Sequence, residues 1–133
     1  MGLCLSLMSA CGPLNGSSDS GSGSGTSTTS AGATELVITV WPQGQGRPRR
    51  WTLTCDPAGG SLPSPRAACS RLNRAALRPL PRDTICTQIY GGPQRARVTG
   101  RIDGEPIDAR FSRSNGCEIH RWDSVRYLFP VRI

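Results

Sequence analysis

The sequence predicts an α+β domain: an antiparallel sheet with one or two helices on one face, held by two disulfides. Three observations carry this. Short runs rich in β-branched residues alternate with turn residues. A single apolar stretch at helical spacing lies between prolines. Four of the six cysteines fall in the last eighty or so residues, behind a segment that reads as an export signal, where an even cysteine count implies disulfides.

Glu35 to Trp41 (ELVITVW) is dense in Val, Ile and Thr and reads as the first strand. Pro42 to Pro48 contains two glycines and forms a loop. Arg50 to Cys55 (RWTLTC) alternates and reads as the second strand, so the two make an antiparallel hairpin. Pro57, Gly59, Gly60, Pro63 and Pro65 punctuate the following loop. Pro65 to Leu77 is the helix candidate: Ala68, Cys69, Leu72, Ala75, Ala76 and Leu77 keep an apolar face at near-helical spacing. Ser64 is placed to cap it, Pro65 suits its first turn, and Pro79 and Pro81 stop it. Cys69 lies on the buried face and can meet Cys55. A loop of ~15 residues closed in this way stabilises by roughly 3 kcal/mol. Four cysteines nevertheless allow three pairings.

Arg95 to Arg101 and Glu105 to Phe111 read as two further strands, joined by the hairpin turn Asp103-Gly104. Asn115-Gly116 before Cys117 is another turn. Arg126 to Ile133 is a last apolar stretch, read as an edge strand with Pro130 against it.

The chain before this domain has a different character. Residues 3–10 are apolar and end in small residues before Cys11. This reads as the end of a secretory signal and not as a membrane span. Met8-Ser9-Ala10-Cys11 resembles a lipobox, with Cys11 as the acylated residue. A basic n-region is missing, which predicts a translation start further upstream. Residues 12–33 are dominated by Gly, Ser and Thr, too polar to bury a core, and read as a tether. The organisation is therefore a signal end with lipobox (1–11), a linker (12–33) and a folded domain (34–133). The location this implies is outside the cytoplasmic membrane, anchored by lipid or secreted.

The formal net charge is +7, with arginine supplying every cation and no lysine present. The arginines are scattered from Arg47 to Arg132 with acids between them, apart from Arg47, Arg49 and Arg50, so a solvated basic surface is the reading and no nucleic acid is expected. One histidine, His120, and no GxSxG or HExxH leave no catalytic set; the chain is not an enzyme and needs no metal or cofactor. Asp103 with Glu105, and Glu118 with Asp123, read as turn charges. Trp41, Trp51 and Trp122 are core or half-buried residues, or a binding patch if exposed together.

The segment Ile85-Cys86-Thr87-Gln88-Ile89-Tyr90 singles itself out by following a proline-rich loop and carrying a cysteine. Together with Glu35 to Val40, Trp51-Thr-Leu-Thr-Cys55 with Pro just after, the helix bearing Cys69, and Asn115-Gly-Cys117-Glu118, it resembles the subtilisin inhibitor family of Streptomyces. The resemblance spans about residues 34–133. It implies a five-stranded antiparallel sheet with two helices, and disulfides Cys55–Cys69 and Cys86–Cys117. It implies inhibition of an extracellular subtilisin-like serine protease by a rigid substrate-like loop. Cys86 is then P3, Thr87 P2, Gln88 P1 and Ile89 P1′, with Gln88–Ile89 the reactive bond, Tyr90 following and Asn115 supporting the loop. Gln88 stands where the family usually has Met or a basic residue. Thr87 replaces a common Pro, and Gly91 and Gly92 predict a more flexible primed side. The family also pairs through its sheet, so a homodimer is one expectation, opposed by Arg95, Arg97 and Arg101. The alternative is an envelope lipoprotein that uses the same scaffold for non-inhibitory binding or structure.

Overall fold

The computed structural model describes residues 32–133. The lipobox with Cys11, Cys4 and the tether up to residue 31 lie outside the described residues.

Among these residues four strands make one sheet: β1 (Thr34–Trp41), β2 (Arg49–Cys55), β3 (Arg95–Ile102) and β4 (Glu105–Phe111), in the order β2-β1-β3-β4. Every pairing is antiparallel; β1 sits centrally, with Ile38 facing Trp51 on one side and Val98 on the other. Side chains alternate across a strand, and the sequence sorts accordingly. Leu36, Ile38 and Val40 of β1 are buried, while Glu35 and Val37 point to the other, open face. The β3–β4 turn takes Asp103 and Gly104 to φ 51° and 81°, the left-handed pair that a tight hairpin turn requires.

Helices α1 (Pro65–Arg71) and α2 (Gly116–Ser124) lie on the apolar face of the sheet. Between sheet and helices sits the core, centred on Trp122, Leu53, Val98, Phe111 and Phe129. Phe129 packs at 4.6 Å from the Trp122 ring and 5.4 Å from Phe111. Cys55 is bonded to Cys69 and Cys86 to Cys117.

Three expectations need correction. The sheet has four strands and not five: Arg126–Leu128 is a 3-10 turn followed by coil. Val125, Leu128 and Phe129 are all buried. That i, i+3, i+4 spacing suits a helical plug and not an alternating strand. The helix expected over Pro65 to Leu77 breaks after Arg71. Leu72 is extended, and the Asn73 side chain accepts from Ala75 N (2.9 Å), starting a separate 3-10 turn at Arg74–Leu77. Ser64 does not cap with its side chain. It sits at φ 54° and offers its carbonyl to Ala68 N instead.

Helix α2 has little apolar content, so periodicity alone does not reveal it. Its start is set by Asn115, whose Oδ1 accepts from Glu118 N at 2.9 Å. Glu118 lies in the first turn, where the helix dipole favours an acid. Nη1 of the buried Arg121 of α2 donates to the Arg110 carbonyl (3.1 Å) and the Glu118 carboxylate (3.0 Å), and its guanidinium lies over the Phe111 ring. The carboxylates Glu118 and Asp123 thus each serve an arginine, Arg121 and Arg113, and do not form a pair.

Candidate inhibitory loop

Between the 3-10 turn at Leu77 and β3, the chain runs through residues 84–91 without regular secondary structure. A Thr84 hydrogen bond to the Pro81 carbonyl (Oγ1, 2.8 Å) closes a turn at its entrance. From Thr84 to Gln94 no side chain is charged. Apolar side chains normally withdraw from water, yet here they project into it: Ile85 is 96 % exposed, Ile89 60 % and Tyr90 68 %. Thr87 and Gln88 are exposed too, and only Cys86 is half-buried. Exposed apolar side chains grouped in this way mark a contact surface.

The loop is exposed without being free. Cys86 is tied covalently to Cys117 in the first turn of α2. One residue further on, the Thr87 carbonyl accepts from Gly116 N at 2.9 Å. On the far side of Gln88–Ile89, Gly91 N donates to the Arg113 carbonyl at 2.7 Å, and Arg113 Nε returns a bond to the Gly91 carbonyl at 3.1 Å. The exposed arc from Gln88 to Tyr90 is therefore held at both ends by residues 113–117. Gln88 Nε2 turns back to the Cys86 carbonyl at 3.3 Å.

One sequence expectation changes here. Gly91 is a fixed point and not a source of flexibility, because its backbone is bonded in both directions. A Cβ there would press into the Ile119 side chain of α2, so glycine allows the loop to close onto the helix. The turn around Asn115 meets the loop through the backbone of Gly116, which donates to the Thr87 carbonyl. The Asn115 side-chain oxygen satisfies an orphan amide of α2, which fixes the helix start and so presents Gly116 N to Thr87. The sequence reading missed Arg113, Gly91 as an anchor, and Ile119. Nothing local distinguishes Arg113 among the arginines.

Gly116 has a specific reason to be glycine: a Cβ at that position would collide with Thr87 Oγ1. The expected result is that Gly116→Val displaces Thr87 and loosens the loop, while Thr87→Ala in the same chain recovers most of the loss. A thermal-unfolding double-mutant cycle should give a coupling of about 0.5–3 kcal/mol; additivity would refute the contact.

The other candidate features do not assemble into a site. Trp122 is wholly buried in the core, so the three tryptophans form no common exposed patch. His120 is exposed. Among the described residues no cluster of His, Cys, Asp or Glu is arranged to hold a metal. On the open face of the sheet, Arg97 binds Asp108 through two nitrogens (2.9 and 2.6 Å). That hydrogen bonding holds the Asp108 carboxyl below the usual carboxylate range.

A family model described as subtilisin inhibitor-like matches residues 31–115, which include the whole exposed arc. Subtilisin inhibitor-like protein 1 of Streptomyces cacaoi is 40% identical over 88 residues, covering 61% of this chain and 79% of that protein. The fold also matches Streptomyces caespitosus sermetstatin, solved in complex with Bacillus licheniformis subtilisin. The TM-score is 0.50 and the identity 27%, over 75% of this chain and the whole of that one.

Proposed function

Since the chain belongs to the subtilisin inhibitor-like family, a family of inhibitors and not of enzymes, we propose that it blocks subtilisin-like serine proteases with the loop Cys86 to Tyr90. The reactive bond is Gln88–Ile89. The observation that carries this is the pairing of exposure with restraint. The arc from Gln88 to Tyr90 stands in solvent, while Cys86, Thr87 and Gly91 are fixed to one base. A loop already in its bound shape loses little entropy on docking, which is how interfaces of standard size reach very high affinity.

The protease cleft receives Thr87 at P2, Gln88 at P1 and Ile89 at P1′. Ile85 and Tyr90 extend the contact strip on either side. Attack by the protease serine on the Gln88 carbonyl breaks the Gln88–Ile89 bond and leaves an ester on the enzyme and a free amine on Ile89. The Cys86–Cys117 bridge keeps both halves on one molecule, so the amine can re-attack and expel the serine.

The test is a titration of the oxidised full chain against a subtilisin-type protease and trypsin, with mass spectrometry of the mixture. Inhibition of the subtilisin with a Kd of about 1 nM or lower, with slow scission at Gln88–Ile89 alone, is the expected result. Rapid turnover at that bond, or no inhibition, overturns the reading and favours a non-inhibitory binding scaffold. Gln88→Lys supplies the cation that a trypsin S1 aspartate requires. It should raise trypsin affinity by about two to three orders of magnitude and change subtilisin affinity far less.

The inhibitor acts outside the cell, tethered to the membrane through acylated Cys11. The measurement is the intact mass of detergent-extracted protein. A chain beginning at Cys11 with added acyl mass is expected; a chain soluble without detergent and unmodified at Cys11 removes the anchor. Arg50, Arg95, Arg97, Arg101 and Arg110 crowd the open sheet face, and their like charges oppose stacking of two copies through it.

A further inference from the structure

From the two unlike anchors of the loop we infer that Arg113 is a positioning residue that decides whether a cut loop is resealed or lost. The inference rests on the inhibitory reading of Gln88–Ile89 and assigns a role within it.

Once Gln88–Ile89 is cut, the two new ends are not held equally. The acyl half keeps the disulfide Cys86–Cys117 and the Thr87 carbonyl bond to Gly116 N. The amine half, starting at Ile89, has no covalent bond nearby. Its first fixed point is Gly91, two residues from the new amine, where both backbone groups are bonded to Arg113. The Gly91 amide uses the Arg113 carbonyl, a main-chain group, but the Gly91 carbonyl relies on the guanidinium.

That guanidinium is well placed to act as a rigid post. Its side chain is only 15% exposed, its Nη1 meets Asp123 Oδ1 at 3.4 Å, and it lies 5.9 Å from the Trp122 ring centre. Asp123 and Trp122 both belong to α2, the helix that also holds Cys117. Both stumps are therefore referenced to one helix, the acyl stump by a disulfide and the amine stump through Arg113. Charge-assisted hydrogen bonds are about twice as strong as neutral ones, and a cation fixed in place loses little freedom in forming one.

The chemistry follows from where the amine sits. Resealing forms the Gln88 C–Ile89 N bond by attack of the Ile89 amine on the serine ester; the serine oxygen leaves with the proton that the amine gives up. Hydrolysis is the same displacement with water as nucleophile, and it releases the Gln88 carboxyl. Which occurs depends on the local concentration of the amine at the ester. Holding Gly91 raises that concentration and favours the intact loop at equilibrium.

The experiment uses the oxidised full chain, wild type, Arg113→Ala, Arg113→Lys and Asp123→Ala. Each is incubated with a catalytic amount of subtilisin until the ratio of cut to intact chain is constant, approached from both intact and pre-cut protein. Inhibition is followed over the same hours, and the melting temperature is recorded. Arg113→Ala should shift the ratio about tenfold or more toward the cut form and make inhibition decay with time. Arg113→Lys should recover part of the loss. Asp123→Ala leaves the bond to Gly91 in place and should shift the ratio less. If Arg113→Ala lowers the melting temperature while the ratio and the time course stay at wild-type values, Arg113 is a structural residue only and the inference fails. If wild type itself fails to inhibit, the inhibitory reading fails, and the inference with it.

Discussion

Replacing Cys86 and Cys117 together by serine should turn the protein from an inhibitor into a substrate. The bridge spans 31 residues of sequence, and a loop of that length contributes roughly 3–4 kcal/mol in the chain-entropy account. Denaturant unfolding should show a loss of that order. The functional loss is larger in consequence, because the same bond fixes Cys86, the residue proposed for P3. Without it only hydrogen bonds hold the arc, so docking must order a mobile loop and the cut ends can separate. Subtilisin affinity is expected to fall by about 100-fold or more, with fast scission at Gln88–Ile89. The paired variant Cys55→Ser with Cys69→Ser is the control. That bridge spans 14 residues between β2 and α1, so its removal costs roughly 3 kcal/mol but leaves the loop anchors untouched. Equal loss of inhibition in both variants would show that overall stability and not loop restraint governs binding.

Trp122→Ala should be the most destabilising single substitution in the domain. Trp122 is fully buried, packs against Phe129 at 4.6 Å and lies beneath Arg113. Emptying such a site costs about 3–5 kcal/mol, a large share of the 5–15 kcal/mol typical of a whole domain. Chemical denaturation measures it directly, and Trp122→Phe should restore more than half. The loss also reaches the loop, since α2 carries Cys117, Ile119 and the partner of Arg113. At temperatures where the variant remains folded, its loop should be cut faster than wild type. A variant with wild-type stability would mean that the core is centred elsewhere.

The parts of the fold that the sequence made legible are those set by local rules. The β3–β4 hairpin follows from Asp103-Gly104, where the backbone needs positive φ at both residues. β1 and β2 follow from β-branched alternation. Where two local rules compete, the reading lost accuracy. Asn73 interrupts an apolar helical face by capping a new turn, and nothing in the spacing of Ala68, Cys69 and Leu72 shows it. At the chain end, Val125, Leu128 and Phe129 look like strand material by composition. Their burial, with Phe129 against Trp122, shows a helical plug in the core, and without tertiary partners composition does not separate the two.

The candidate site divides in the same way. Cys86 to Tyr90 could be singled out because a cysteine, a preceding proline-rich loop and a family resemblance coincide in one short stretch. Of the loop's base, only Cys117 and the turn at Asn115 could. Ile119 and Arg113 lie more than twenty residues away, and Arg113 is one of many arginines. Gly91 even misleads in isolation, since a glycine reads as freedom until its two bonds to Arg113 and its contact with Ile119 are seen.

Readable from the chain alone are the strand alternation, the turn at Asp103-Gly104, the presence of four cysteines in the domain and the uncharged strip from Thr84 to Gln94. These depend on residue type and short spacing, which the chain carries wherever it goes. Residue spacing left three cysteine pairings open, and the family resemblance named the two bridges that the structure shows; packing alone settled that the sheet stops at four strands and that an exposed loop is gripped at both ends. The physical reason is that such restraint comes from hydrogen bonds and contacts between segments distant in sequence. Their geometry exists only after Trp122 and its neighbours have packed α2 against the sheet.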